Sequence, residues 1–359
     1  MNLKKITQAI ALAAALFAHN AIAQRGGKLE EEDYLNGANT IAAFKKANDS
    51  ASASTVKLLR KGKTFALGTA ISADGYIATK ATELADKNGV LPDLEKKAGE
   101  DSAVVVQVQT PAGEKLMGEL IGYERTDDIA IIKIASGKLR PVRWGSSTGL
   151  FQGQWVAAMG RQLKQLNTGV ISANRRQIDR RGGVLGVGLD NNDDADEIGV
   201  GILDVRPNSP ARRAGIKPDD LIVEIEDREI RSRRQLSRLI GDLDPGETVR
   251  LTIQRGAERI PIELILGSRS KIFDMFDRNQ QMSGKTSVRK AGFSDALQHE
   301  LPLAPDAMGG PLVDLEGNAV GLNIARADRV TTFALPSELV QDIAKRIIED
   351  AAARRPAKE

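Results

Sequence analysis

The 359-residue chain contains no cysteine. That excludes a disulfide framework, a lipoprotein attachment site and a cysteine–histidine catalytic pair. Aromatic residues make up only 4% of the chain, so its cores must be built from Ile, Val, Leu and Ala. Histidine is almost missing as well. There are two, and one of them, His19, lies in what reads as a leader, leaving His299. The chain also lacks a long apolar run: Ala9–Ala18 falls far short of the roughly 20 residues that span a membrane. No Gly-rich phosphate loop and no zinc-ligand spacing occurs, so no cofactor and no metal is expected. A basic stripe interleaved with aromatic platforms is absent too. Arg231, Arg233 and Arg234, like Arg175 and Arg176, read as solvated faces, which argues against a nucleic-acid partner.

What is present is an ordinary globular balance, 41% hydrophobic and 28% charged, in a chain long enough for two or three domains. Lys4 and Lys5, the apolar run Ala9–Ala18 and the small-x-small triplet Ala21-Ile22-Ala23 predict a signal peptide over 1–23, hence a periplasmic or secreted protein. Its loss removes two lysines and no acid, taking the net charge from +3 to +1. Residues 24–54 read as a helix, Leu29–Ala47, with acids early and lysines late, followed by a flexible joint at Asn48–Ser54. From 55 to 145 the period changes. Val56–Arg60, Thr64–Ile71, Tyr76–Thr79, Ala103–Gln109, Glu119–Tyr123 and Ile129–Ile134 are short, Val- and Ile-rich and separated by Gly, Asp and Pro, which predicts a small β-barrel.

A second strand set begins in 146–182 with Gln154–Met159 and Asn167–Ala173. Segment 183–267 reads as a self-contained α+β unit with helices at Ser209–Ala214 and Arg233–Leu243. The acidic run Asp190, Asp193, Asp194, Asp196 and Glu197 lacks the glycine and terminal glutamate of a calcium loop and reads as a hairpin tip. Ser270–Leu303 is polar and irregular, with Met275, Met282 and Phe293 as anchors. Within 268–350, Pro311–Leu315 and Ala319–Ala325 flank Glu316-Gly317-Asn318 as a hairpin, Thr331–Leu335 follows as a strand, and Ser337–Glu349 is a closing amphipathic helix. The tail 351–359 reads as frayed.

Two stretches carry a resemblance. Asn208–Ile222, N-S-P-A-R-R-A-G-I-K-P-D-D-L-I, is similar to the PDZ pattern SPAxxAGLxxGDxI. Gly309, Gly310, Pro311, Leu312, Val313, Gly317, Gly321, Phe333, Ala334 and Pro336 fall in register with the nucleophile region of the HtrA/DegP family of trypsin-like serine proteases, G-N-S-G-G-P-L-V to F-A-I-P. The resemblance implies a mainly β fold, a trypsin-like double β-barrel with an inserted PDZ-like domain. It also places the triad. The histidine position, in D-G-Y-x-x-T-x-x-H-V, is matched by Asp74, Gly75, Tyr76 and Thr79 but holds Thr82 followed by Glu83. The aspartate position falls on Asp128, and the serine position holds Met308, which can neither be deprotonated nor attack a carbonyl. The glycine two before the serine is Asp306.

The expectation from these three positions is a protein that is not an enzyme but binds extended polypeptides or protein C-termini through its PDZ domain. Its rival is an active serine endopeptidase with an unconventional catalytic site. A Ser–Lys dyad using Ser172, Ser283 or Ser287 is one form of that rival, but no spacing singles one out. The PDZ resemblance implies that a ligand adds as a strand beside the second helix, with its carboxylate held by the loop Val184, Leu185, Gly186 and Val187; Leu236 and Ile240 would line the groove. Family membership further implies homo-oligomerisation.

Overall fold

The computed structural model describes residues 30–33, 37–85, 91–92, 105–135, 139–163, 166–180, 182–190, 198–272 and 282–354. The leader 1–23, Met275, the tail 355–359 and all of the acidic run except Asp190 lie outside them. Two compact units are present, 1–45 and 46–359. The described part of the first consists of a 3-10 turn, Glu31–Asp33, and the short helix α1, Ala38–Ala43.

The second unit begins within α2, Lys45–Ser54. This corrects the flexible joint expected at Asn48–Ser54. The small residues are not a linker signature here but a means of close approach. Ala47 and Ala51 are fully buried against Val142, Ala157, Val313 and Ala319. Ser50 Oγ donates to the Gly317 carbonyl at 2.5 Å, and Ser54 and Thr55 hydroxyls bond back to the carbonyls of Ser50 and Ala51.

Six strands then close a barrel: β1 Thr55–Arg60, β2 Lys63–Ala70, β3 Tyr76–Lys80, β4 Val105–Gln109, β5 Lys115–Glu124 and β6 Ile129–Ile134, in the order β1-β2-β3-β6-β5-β4. β6 reads as an apolar run broken only by the half-buried Lys133, because both of its faces are largely buried. Ala130, Ile132 and Ile134 point into the barrel with Val56, Leu58 and Ile77. Ile129 and Ile131 point out, against Phe293, Ile324, Phe333 and the last helix. At about 1.5–3 kcal/mol for each fully buried large aliphatic side chain, these two layers are a major driving term for the fold.

The second barrel is assembled from two stretches of chain. β7 Trp155–Met159 and β8 Leu166–Ile178 pair with β17 Phe293–His299, β18 Pro311–Val313, β19 Ala319–Arg326 and β20 Thr332–Pro336 in the closed order β17-β20-β19-β18-β7-β8. β17 corrects the irregular reading of Ser270–Leu303. β8 runs past Ala173, so Arg175 and Arg176 sit on a strand. Arg175 is tied to Asp295 at 2.5 Å and to Ser147 at 2.9 Å, and Arg176 to Gln298 at 2.5 Å; they are not simply solvated faces.

Between β8 and β17 lies a separate sheet with its own core. β10 Val187–Leu189, β11 Val200–Val205, β12 Leu221–Ile225, β14 Thr248–Arg255 and β15 Glu258–Ile265 run side by side in that order, and β13 Arg228–Glu229 pairs with β12. Two-residue strands β9 Gly183–Val184 and β16 Gly267–Ser268 pair where the unit begins and ends. Helix α3, Pro210–Arg213, is capped by Ser209, and α4, Arg233–Gly241, by Ser232. A short turn of helix, α5, spans Arg269–Ile272. The last helix, α6, runs Ser337–Arg354 and buries Val340, Ile343 and Ile347. It lies so close to β5 that a Cβ at Gly122 would collide with Ile347.

Candidate functional site

The three positions that the resemblance assigns to a triad lie on two barrels. On the first barrel, β3 ends at Lys80 and the chain turns through Ala81–Leu84. Asp128 precedes β6 in a left-handed conformation, φ 63°. Its carboxylate accepts from Thr82 twice, from the backbone N–H at 2.7 Å and from Oγ1 at 2.9 Å. It also pairs with Lys80 Nζ at 2.9 Å. Lys80 and Asp128 are both buried, where an unpaired charge is not tolerated. The ammonium spends its other donors on the carbonyls of Arg289 at 3.0 Å and Ile324 at 2.9 Å. The structure thus brings Thr82 and Asp128 together, and the aspartate's counter-ion is a lysine. Next to them, burial pushes the Glu83 carboxyl up against the opposing pull of Lys80.

On the second barrel, Met308 is fully buried among Leu67, Val156, Ile171, Leu297, Leu312 and Ala334. Its backbone N–H, which lies where an oxyanion donor would be sought, donates to the Pro305 carbonyl at 3.2 Å. The following loop is strapped to β2. Leu67 N–H donates to Met308 O at 2.9 Å and Thr69 Oγ1 to Gly309 O at 2.9 Å. Gly309 has φ 90°, and a Cβ there would collide with the Leu67 carbonyl, so both backbone and space demand glycine.

His299 supports this loop from beneath. It is fully buried, and its Nδ1 accepts from Leu301 N–H at 3.3 Å, so Nε2 carries the proton and donates to Asn323 Oδ1 at 2.8 Å. Asn323 Nδ2 in turn donates to Gly310 O at 3.0 Å. Burial pushes the imidazole down to about 4, against the smaller opposing effect of the Asn323 bond. It is a neutral structural group. Of the three serines weighed as nucleophiles, Ser283 and Ser287 hydroxyls accept backbone bonds from Arg329 and Arg326, and Ser172 Oγ is buried with no hydrogen-bond partner.

The six residues singled out for peptide binding line one cavity of about 500 Å³, together with Arg233, Ser237 and Arg269. Leu236 and Ile240 are its floor and belong at the same time to the core of the inserted sheet. Among the described residues, β10 is the edge of that sheet and pairs only with β11. The Leu185 carbonyl accepts from Ala211 N–H at 3.1 Å and the Gly186 carbonyl from Arg206 N–H at 2.9 Å. A planar trans peptide then sends the N–H of Gly186 and of Val187 the opposite way, away from Ala211 and Arg206. Sequence reasoning missed Lys80, Arg289 and the two arginines of this groove. The one available signal was a lone lysine closing the apolar run Tyr76–Lys80.

The sequence matches the trypsin-like peptidase domain family over residues 66–202 and the PDZ domain family over 183–266. Curated relatives named DegP-like periplasmic serine endoproteases include one from Halomonas elongata, 24% identical over 57% of this chain and 56% of that protein. Another is from Pseudomonas fulva, 22% identical over 76% of this chain and 71% of that protein. In both matches and in these relatives the chain is similar to the HtrA/DegP-like family. A solved structure, an HtrA-type protease AlgW with a decapeptide, is 16% identical and covers 63% of this chain and 98% of its own; its TM-score of 0.28 carries no argument. The chain spans only about half the length of the Halomonas relative.

These comparisons correct the expectation that the protein is not an enzyme. The relatives are named serine endoproteases, the trypsin-like peptidase-domain match covers most of the first barrel, and neither finding shows catalytic inactivity. Thr82 and Met308 are what this chain holds at those two positions.

Proposed function

We propose that this HtrA/DegP-like protein engages extended polypeptides in the periplasm, after removal of residues 1–23, and captures their free C-termini at the groove between β10 and α4. The observation that carries the reading is that groove. A strand edge unpaired among the described residues, backbone N–H groups of Gly186 and Val187 turned away from Ala211 and Arg206, and an apolar floor of Leu236 and Ile240 are what a chain end adding as a strand requires. In this reading the inserted domain is 183–267, the flanking segments 146–182 and 268–350 form one barrel, and the protein works as a homo-oligomer.

The relatives supply the endopeptidase class, and the geometry restricts how this chain can serve it. A buried thioether offers no nucleophile, so any peptide bond the protein cleaves is cleaved by a group other than residue 308. Thr82 is the hydroxyl nearest Asp128, but it donates to a carboxylate already neutralised by Lys80.

The test is fluorescence anisotropy with a labelled peptide carrying a free apolar C-terminus, beside the same peptide amidated. Saturable binding of the free acid, lost in Leu236→Asp, supports capture. Equal binding of the amide, or none of either, refutes it. Casein digestion by wild type and by Met308→Leu, run in parallel, should give equal rates.

A further inference from the structure

The charges around the groove are one-sided. Among the described residues lining it are two arginines, Arg233 and Arg269, and no carboxylate. The nearest carboxylate on the adjoining strand, Asp204, already lies 3.8 Å from Arg206. Arg233 and Arg269 each keep an interaction within the fold, so what a ligand meets is their charge and not a vacancy.

Their positions along the groove differ. The C-terminal end of α4 is anchored at the loop that starts β9: Gly183 N–H donates to the Leu243 carbonyl at 2.5 Å. Arg269 follows β16, which pairs with Gly183 and Val184, so it stands at the same end. Arg233 is the first residue of α4 and so lines the cavity at the other end of the helix. From Arg233 to Ile240 the helix advances about 10 Å, or roughly three residues of an extended chain at about 3.3 Å each. In an added strand, alternate side chains face the helix. A terminal side chain seated over Leu236 and Ile240 therefore puts the side chain two residues earlier on the same face, within reach of an arginine at position 233.

We propose that the groove selects polypeptides whose C-terminus is apolar and that carry Asp or Glu two residues before it, with Arg233 reading the acidic side chain and Arg269 adding to the field at the terminal carboxylate. The inference rests on the C-terminal capture described above and adds to it the chemistry of the partner. A carboxylate gains a charge-assisted, bidentate bond from a guanidinium that neither an amide nor a lysine can obtain.

Four peptides of equal length, identical except at that position or terminus, make the test: Glu, Gln and Lys two residues before a C-terminal Leu, and the Glu peptide amidated. Anisotropy titrations of the full chain should give the order Glu, Gln, Lys, with about tenfold between the first two and a gap that narrows as salt is raised. Arg233→Ala should abolish the preference, and Arg233→Glu should reverse it in favour of Lys while the Gln peptide still binds. Equal affinity for Glu and Gln, or a preference unchanged in Arg233→Glu, overturns the proposal and leaves C-terminal capture standing. Failure of every peptide to bind, or equal binding of the amidated peptide, overturns capture and the proposal with it.

Discussion

On the first barrel, the buried carboxylate of Asp128 has a lysine as its counter-ion. On the second barrel, the Met308–Gly310 loop is tied to β2 by hydrogen bonds and buries a thioether. The first half is held by charge: the buried Lys80–Asp128 pair is completed by the half-buried Thr82 and by the carbonyls of Arg289 and Ile324. The second is held by packing and backbone bonds, with the neutral His299–Asn323 pair beneath it. The difference teaches that two neighbouring loops of one double barrel can be held by unrelated means, one by charge and the other by packing.

The strongest way to break the comparison is to remove the cation. Lys80→Met should cost about 3–5 kcal/mol in urea unfolding, because it leaves Asp128 buried and unpaired. The double variant Lys80→Met/Asp128→Leu should recover much of that loss. If the single variant costs under about 1 kcal/mol, charge does not hold this half.

The second half should instead respond to acid. His299 titrates near 4 when folded and near 6.5 when unfolded. Its folded value is depressed, so the unfolded state takes the proton first as pH falls. The stability it secures is therefore complete above about 6.5 and is lost progressively down to about 4, on the order of 3 kcal/mol. His299→Gln, which cannot charge, should remove this part of the pH dependence. Parallel stability curves for wild type and variant from pH 7 to 4 would show that burial does not set this imidazole.

The smallest effect sharpens the packing side. Met308→Leu conserves volume and should cost less than about 1.5 kcal/mol, whereas Met308→Ala should cost about 2–5 kcal/mol. Similar losses for both would mean that residue 308 is held by something other than its fit in the core.

Most of the first barrel was legible from sequence because its strands are short, apolar and set off by turn residues; β6, Ile129–Ile134, was placed to the residue. β17 escaped because its pairing with β8 shifts register between Phe293 and Ala296, and again between Ala296 and Gln298, which destroys the period of two. α2 escaped because Asn48–Ser54 has the composition of a linker, while its small residues are needed for contact with Gly317 and Val313. At the site, Thr82, Asp128 and Met308 could be placed from motif register alone. Lys80 and Arg289 could not, since a charged residue reads as exposed until a structure supplies its buried partners.

The inserted sheet also sets a schedule. Arg175 and Asp295, which pair across β8 and β17, are 120 residues apart. Synthesis from the N-terminus completes the first barrel, then the inserted sheet, and only afterwards the barrel begun between them. At about 5–20 residues per second, β7 and β8 wait on the order of ten seconds for their neighbours. During that interval their edges are open to any passing strand. Once the inserted sheet has formed, the pairing of β9 with β16 holds its two ends together, and a distant partner becomes a near one.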